Sequence, residues 1–408
     1  ELFADTVVRL VESGRIPQRD LQVELLDDAF HAAAGAKEPV RLIAVPSTPP
    51  DTRALYRARA GDLMLDALSL QSRILKQLVT VDRAKARELF DQMVHPAEAA
   101  LTCEDPLLPD LSPYYEIAAT IAQSTFTPAE KAQEVHIQFL VTVLSQAKSP
   151  AELAAFARSL ESVELKPEQF ELLLGAFSKT MESMDADFRS FESSIDALQK
   201  EIDGLNSRAN SSHIGTEALI KTYRKFLVTG LTAARCNDSF GGAPDAVAWI
   251  GAHASPLTAD ETKPSKKDGV VKADPYFQSA DSQQLGAELR QLSSANRSAP
   301  EFPGQFADFV RDYSAWQPPG DEMDAFHERA TVLRALLGVA APGEDRDRIV
   351  EMCSALVASS GAEHQSPAEW LWQTKMLLEA AGADAAKMLA SFRASGDPAL
   401  AIYAGPGN

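Results

Sequence analysis

An uninterrupted stripe of apolar residues between Pro167 and Arg208 constrains the fold of this chain more than any other feature. Pro167 suits the first position of a helix, and the polar residues 206–212 suit a helix end. A spacing of alternately four and three residues places every member on one side of an α-helix. The pattern therefore predicts one long central helix near residues 167–206. The stripe consists of Phe170, Leu174, Phe177, Met181, Met184, Phe188, Phe191, Ile195, Leu198, Ile202 and Leu205.

This spacing is that of a coiled-coil seam, which needs a facing helix. Acidic residues dominate the positions beside the stripe, so two copies in parallel would bring like charges together. The next helical stretch, His213 to Arg235, is net basic, whereas residues 167–208 are net acidic. We therefore expect an antiparallel hairpin over 167–235 within one chain, and a monomer. A structural oligomer built through the seam is the alternative.

Helical spacing recurs along most of the chain, and only Val40–Val45 and Gly269–Lys272 are candidates for strands. Three helix starts share one pattern, at Thr127–Glu130, Ser149–Glu152 and Ser366–Glu369. In each, a hydroxyl caps the helix, proline takes the first position, and glutamate is expected to return a bond to the cap. The sequence predicts an all-α fold of irregular helical hairpins, solenoid-like or a bundle, around the long helix.

The composition of the chain changes between Asn237 and Ser282, where Gly, Pro, Ser and Lys are frequent and at most one short helix is expected, at Asp245–Ile250. A connection of this length usually marks a functional loop or a linker. We therefore expect an N-terminal helical domain over 1–236, a linker over 237–282 and a C-terminal helical domain over 283–408.

Charge and hydropathy exclude several classes of protein. The 408 residues carry a formal net charge of −19 at pH 7, which argues against a nucleic-acid partner because phosphate binding needs basic surface. No stretch of about 18 apolar residues occurs, so no membrane span is expected. The chain starts at Glu1 without an initiator methionine. Export to the periplasm or the medium after removal of a leader is one expectation, and a cytoplasmic protein is the other.

The three cysteines are too few for a disulfide framework. Cys103 and Cys236 lie in loop-like surroundings, and the sequence leaves open whether they are bridged or free. Cys353 lies in a helical pattern and is expected in the core. Core packing is also the expected role of the tryptophans, including Trp370 and Trp372, which face different directions on a helix.

Sequence patterns of catalytic and metal sites are missing. The chain contains no glycine-rich phosphate loop, no Cys-x-x-Cys pair and no Gly-x-Ser-x-Gly. Asp-Ala-Phe-His occurs twice, at Asp28–His31 and Asp324–His327. An acid and a histidine three residues apart occur in bundle metal sites, but such sites also need glutamates from further helices. The favoured interpretation places Phe30 and Phe326 in the core, each beside a surface acid and a surface histidine.

No two of the seven histidines have a spacing that puts both on one helical turn. This argues against a metal site within one helix, but it does not exclude one assembled from distant segments. We therefore assign no catalytic, cofactor-binding or metal residue, and expect purified protein without a stoichiometric transition metal. The acids Asp321, Glu322, Asp324 and Glu328 are assigned to a helix start, where they complement the helix dipole.

The leading functional hypothesis is a non-enzymatic helical binding or scaffold protein with a protein or peptide partner, since helical arrays commonly present such surfaces. The alternative is a hydrolase or lyase whose site lies between helices and leaves no local motif. A recess lined by several acids and a histidine of shifted pKa would favour the enzyme, and a shallow groove without them would favour the binding protein.

The composition of residues 237–282 generates a prediction about proteolysis. Under limiting trypsin, the first cut is expected near Lys263–Lys267, leaving two helical fragments, because exposed polar segments are cleaved first. Mass spectrometry of the fragments over time locates the cut. A first cut elsewhere, with 263–267 resistant, would mean that the domain boundary is wrong.

Overall fold

The computed structural model describes residues 1–44, 52–93, 95, 107–184, 191–232, 244–255, 257, 258, 261, 279–361 and 366–405. Apart from connections, two short 3₁₀ turns and one two-stranded sheet, these residues are helical, which confirms the all-α prediction. In the sheet, β1 (Leu42–Ala44) runs antiparallel to β2 (Leu107–Pro109), with Leu42 opposite Pro109. Within the candidate strand Val40–Val45, β1 is formed by Leu42–Ala44. β2 was not predicted, and Val45 and Gly269–Lys272 lie outside the described residues.

The chain forms two compact units. The first unit comprises Glu1–Ala54 and Met64–Lys272, and the second comprises Leu55–Leu63 and Ala273–Asn408. In chain order, the helices before residue 273 are α1 (Leu2–Glu12), α2 (Arg19–Ala33), α3 (Thr52–Gly61), α4 (Ala67–Val81), α5 (Arg83–Phe90), α6 (Ser112–Ser124), α7 (Pro128–Ala132), α8 (Val135–Ser145), α9 (Pro150–Ser159), α10 (Pro167–Glu182), α11 (Phe191–Ser211), α12 (Glu217–Thr232) and α13 (Pro244–His253). Residues 55–61 of α3 belong to the second unit, and the other helices of this group belong to the first. Those that follow are α14 (Ala280–Ser294), α15 (Phe302–Ala315), α16 (Glu322–Val339), α17 (Glu344–Ser360), α18 (Pro367–Ala381), α19 (Ala385–Ala394) and α20 (Pro398–Ala404).

The prediction of one continuous helix over 167–206 is wrong. α10 ends at Glu182, where the backbone turns through Ser183 and Met184, and α11 begins at Phe191. The Ser183 hydroxyl donates to the Thr180 carbonyl at 2.7 Å, a local bond with which serine competes against helix continuation. The apolar period is kept on both sides of this break, so periodicity alone could not locate it. Residues 185–190, which include Phe188, and the side chain of Phe191 lie outside the described structure.

The two helices pack against different neighbours in the same chain. α10 contacts α8 and α12, whereas α11 contacts α9 most extensively. The partner expected over 213–235 therefore packs against the first half of the stripe. The seam is covered within one chain by helices of the first unit. The following stripe residues are buried: Phe170, Leu174, Phe177, Met181, Ile195, Leu198, Ile202 and Leu205.

α4 lies at the centre of the N-terminal part of the first unit. It contacts α1, α2, α5 and α6, and Leu70, Ile74 and Leu78 on it are fully buried. The short helix expected in the linker is present as α13, and most of the remaining residues of 237–282 lie outside the described structure. Among the described helices, none combines the length and the apolar content needed to cross a membrane.

The second unit has its own core, built from α14 to α20. Trp370 lies in it, and so does Cys353, whose thiol pKa burial raises to about 12. Trp249 and Trp316 are also buried, so the expected core role holds for these three tryptophans and for Cys353. Cys103 and Cys236 lie outside the described residues.

The buried cap of α4 generates a stability prediction. Asp66 accepts from the Ser69 N–H at 2.9 Å, and burial raises the pKa of its carboxyl. A raised pKa in the folded state favours folding below the ordinary aspartate pKa, and this contribution is lost as the pH rises through the raised value. Asp66→Asn keeps the capping oxygen and removes the charge. It should therefore raise the free energy of unfolding at pH 7 by on the order of 1 kcal/mol, and by less at pH 4.

Urea denaturation at the two pH values measures this difference. Asp82→Asn is the matched control, because Asp82 caps α5 from a more exposed position, and it should bring no such gain. A loss of stability in Asp66→Asn at pH 7, or an equal gain at both pH values, would contradict the prediction.

Candidate binding site

An open recess of about 530 Å³ lies in the first unit, between the start of α2 and the junction of α4 with α5. Its volume falls within the roughly 300–1,000 Å³ common for ligand sites. We call it the α2–α5 recess. Its lining is Pro17, Arg19, Gln22, Thr80, Val81 and Arg83.

The junction of α4 with α5 is held by a single residue, Asp82. Its backbone N–H donates to the Leu78 carbonyl at 2.6 Å, which ends α4. Its side chain accepts from the N–H groups of Ala84 and Lys85 at 3.1 and 3.0 Å, which starts α5. This double cap fixes the backbone on both sides of the recess wall that carries Thr80 and Arg83.

Arg19 joins the opposite wall to this junction. Its Nε donates to the Val81 carbonyl at 2.7 Å, across 62 positions of sequence. The rest of its guanidinium has no carboxylate within ion-pairing distance among the described residues, and the same holds for Arg83. Two basic residues further along α5 differ, because Lys85 pairs with Asp27 at 3.1 Å and Arg87 pairs with Glu130 at 2.9 Å.

The recess is therefore a locally basic place on an acidic chain. Both arginines occupy the first position of a helix, where the helix dipole favours acids and disfavours cations. A guanidinium offers a planar fork of donors that matches a carboxylate or a phosphate. The lining contains no acid, histidine or cysteine, and the Thr80 hydroxyl already donates to the Gln77 carbonyl at 2.7 Å. The recess can bind an anion, and it holds no acid–base pair.

The two Asp-Ala-Phe-His copies have different surroundings. Phe30 is buried while Asp28 and His31 are exposed, as expected for the first copy. The expectation of a surface acid and a surface histidine is wrong for the second copy, because Asp324 is only 2% and His327 only 1% exposed.

Partners distant in sequence explain the burial of the second copy. Asp324 belongs to the cap of α16, as expected for this acidic group, and also accepts from Arg57 at 3.1 Å. His327 is hydrogen-bonded by one ring nitrogen to Glu369 and by the other to Gln373, both on α18 and both buried. Buried charged and polar groups need such partners, so these residues join α16 to α18.

Besides Glu369, a second buried glutamate, Glu152 in the first unit, is surrounded by polar partners. Glu152 Oε2 accepts from the Tyr115 hydroxyl at 2.8 Å and lies 3.1 Å from His95 Nε2, and Oε1 accepts from the Lys148 N–H at 3.2 Å. We call His95, Tyr115 and Glu152 the triad. Tyr115 and Glu152 are buried, whereas the His95 side chain is 21% exposed. Burial and the neighbouring negative charge of Glu152 raise the pKa of Tyr115 well above its ordinary value, and that of Tyr114 to about 12.

The glutamate of the shared helix-start pattern bonds different groups in different helices. Thr127, Ser149 and Ser366 each accept from the N–H three residues on, at 3.2, 3.2 and 3.3 Å. Glu130 also returns a bond to the Thr127 N–H at 2.7 Å, which completes the expected reciprocal cap. Glu152 bonds the Lys148 N–H instead, so the expected return to its own cap, Ser149, is wrong there.

In the part of the chain that the structure describes, His136 is buried without the carboxylate partner that His95 and His327 have. Its side chain is buried, its Nδ1 has no partner among the described residues, and desolvation lowers its pKa.

Within the described part of the chain, no three side chains drawn from histidine, cysteine, aspartate and glutamate converge as a metal site would require.

The residues of the recess and of the triad were not predicted from the sequence. A cation at the first position of a helix opposes the dipole, and this signal was available for Arg19 and Arg83. Nothing local distinguishes His95 or Tyr115, because their grouping depends on Glu152, for which the sequence predicted only a role in a helix cap.

No protein-family model matches the chain, and neither a curated protein nor a solved structure matches it. The function of the protein is therefore inferred from its residues and their geometry.

Proposed function

We propose that the protein is a non-enzymatic helical binding protein whose α2–α5 recess holds an acidic segment of a partner protein. The observation that carries this proposal is that Arg19 and Arg83 line one recess while neither has a carboxylate partner among the described residues. The chain as a whole is acidic, with a formal net charge of −19, so the two arginines make the recess locally basic.

Several other arginines of the first unit are paired with acids, whereas Arg208 donates to the carbonyls of Leu160 and Val163. Arg73 lies 2.7 Å from Asp5, and Arg158 lies 3.1 Å from Glu201. Leaving two arginines of one recess without such partners keeps their donors available to an external anion. A hydrogen bond to a charged group contributes about 1.5–3 kcal/mol, so two arginines suffice for specific recognition.

The recess is also prepared for binding before a ligand arrives. The bond from Arg19 Nε to the Val81 carbonyl restricts the guanidinium, and the Asp82 double cap restricts the start of α5. Fixing donors in advance lowers the entropy lost on binding.

An acidic protein segment suits the recess better than a free small anion. Pro17 and Val81 place apolar surface between the basic groups, and the neighbouring Leu21 on α2 is exposed. A peptide chain can offer carboxylates to the arginines and apolar side chains to this surface, whereas phosphate can use only the arginines.

A hydrolase or lyase is the second candidate, and His95 is the observation that favours it. Glu152 lies against one ring nitrogen of His95, and the other has no partner among the described residues, an arrangement that a general base requires. His95 is not part of the recess lining, so the two candidates rest on different residues.

Fluorescence anisotropy with labelled hexaglutamate tests the binding proposal. Arg19→Gln and Arg83→Gln should each weaken binding by about tenfold or more, because each removes charge-assisted hydrogen bonds. Arg19→Lys should also weaken binding, since an ammonium lacks the planar fork. Added salt should reduce the affinity, and inorganic phosphate should compete only weakly.

Arg15→Gln is the matched control, because Arg15 is exposed, carries the same charge and does not line the recess. It should bind hexaglutamate as the unchanged protein does, and hexaglutamine should not bind. Absence of hexaglutamate binding, or equal weakening by Arg15→Gln and Arg19→Gln, would contradict the proposal.

A further inference from the structure

Three side chains of the triad bring potential metal-ligand atoms together in the first unit. Tyr115 Oη lies 2.8 Å from Glu152 Oε2, His95 Nε2 lies 3.1 Å from the same oxygen, and Tyr115 Oη lies 3.5 Å from His95 Nε2. The three residues come from the segment after α5, from α6 and from α9. The packing of these elements, and not a local motif, forms the triangle.

The size of this triangle matches a transition-metal site. Zinc lies about 2.0–2.2 Å from nitrogen and oxygen ligands, so adjacent ligands of a tetrahedral site are about 3.3 Å apart. The three observed distances, 2.8, 3.1 and 3.5 Å, lie on both sides of that value. Imidazole nitrogen and oxygen donors together suit zinc and its first-row neighbours.

We propose that His95, Tyr115 and Glu152 form a binding site for a divalent transition-metal ion. The fourth coordination position of the ion faces the partly exposed side of His95, so the ion can enter from solvent and can bind water there. Tyr115 and Glu152 are buried and close the inner side of the site. On binding, the phenol proton leaves to solvent and the proton on His95 Nε2 moves to Nδ1, which frees Nε2 as a ligand.

Groups around the triad hold two of its members in place. The Lys148 N–H bonds Glu152 Oε1 at 3.2 Å, which orients the carboxylate so that Oε2 faces the other two donors. The Tyr114 ring meets the His95 ring edge-on, with 5.2 Å between centroids, and the Tyr114 hydroxyl donates to Gln146 at 3.2 Å. Supporting contacts of this kind are what keep metal ligands oriented.

This inference revises the expectation of a metal-free protein, which was based on histidine spacing within one helix and left sites assembled from distant segments open. The 20 and 37 positions that separate Tyr115 from His95 and from Glu152 exceed the span of any local motif. Counting tyrosine as a donor is also necessary, because histidine, cysteine, aspartate and glutamate alone form no group of three among the described residues. The triad does not line the recess, so the inference is independent of the proposed binding function, although it shares His95 with the second candidate.

Isothermal titration of the chelator-treated 408-residue chain with zinc chloride tests the site. We expect about one ion per chain, and a visible spectrum typical of nitrogen and oxygen ligation when cobalt replaces zinc. Loss of a supporting residue around a metal costs 10- to 100-fold in affinity, so loss of a ligand should cost at least about 100-fold. His95→Ala, Glu152→Gln and Tyr115→Phe should each show this loss, whereas His31→Ala, which changes an exposed histidine outside the triad, should not.

If circular dichroism shows that the other variants fold poorly, Tyr115→Phe alone tests whether the triad binds zinc. This variant removes a single hydroxyl and keeps the buried ring. Zinc should raise the melting temperature of the unchanged protein and leave that of Tyr115→Phe unaltered. Absence of zinc binding to the unchanged protein, or equal binding by Tyr115→Phe and the unchanged protein, would show a hydrogen-bonded triad only and overturn the inference.

Discussion

The structure depends on two carboxylates that are buried at the third positions of helices. Glu152 and Glu369 each follow a Ser-Pro-Ala start, and both are removed from solvent. A buried carboxylate is costly unless donors surround it, so each glutamate requires polar partners from another helix. Glu152 takes Tyr115 from α6, and Glu369 takes His327 from α16. These bonds set α9 against α6 in the first unit and α18 against α16 in the second, and the apolar cores pack around them.

Polar side chains that are already hydrogen-bonded in the core differ in functional potential from those that remain exposed. Asp324, His327 and Glu369 have the residue types of a catalytic site, yet they are buried and bonded to one another or to Arg57 and Gln373. Arg19 and Arg83 have the reverse character, since they are exposed, basic and without a carboxylate partner among the described residues. The proposal that the recess binds an acidic partner rests on this difference. The triad lies between these two cases, because its glutamate is buried while His95 remains accessible.

The features that could be predicted from the sequence are those set by local periodicity and local hydrogen bonds. The apolar stripe predicted burial on both α10 and α11, and the hydroxyl caps were found at Thr127, Ser149 and Ser366. The break after Glu182 was missed because the bond from Ser183 to Thr180 leaves the apolar period unchanged. The burial of His327 could not be predicted, because its partner lies 42 positions away. The recess and the triad depend in the same way on packing between distant helices.

The central claim is that each buried glutamate is stabilised by the histidine or tyrosine packed against it, and a double-mutant cycle on Glu369 and His327 tests it most directly. Urea denaturation gives the free energy of unfolding for Glu369→Gln, His327→Gln and the double variant. Breaking one partner of a buried pair should cost about 3–5 kcal/mol. The double variant should lose less than the sum of the two single losses, with a coupling of at least about 1 kcal/mol. Strictly additive losses would contradict the account, because Glu369 and His327 would then contribute to stability independently.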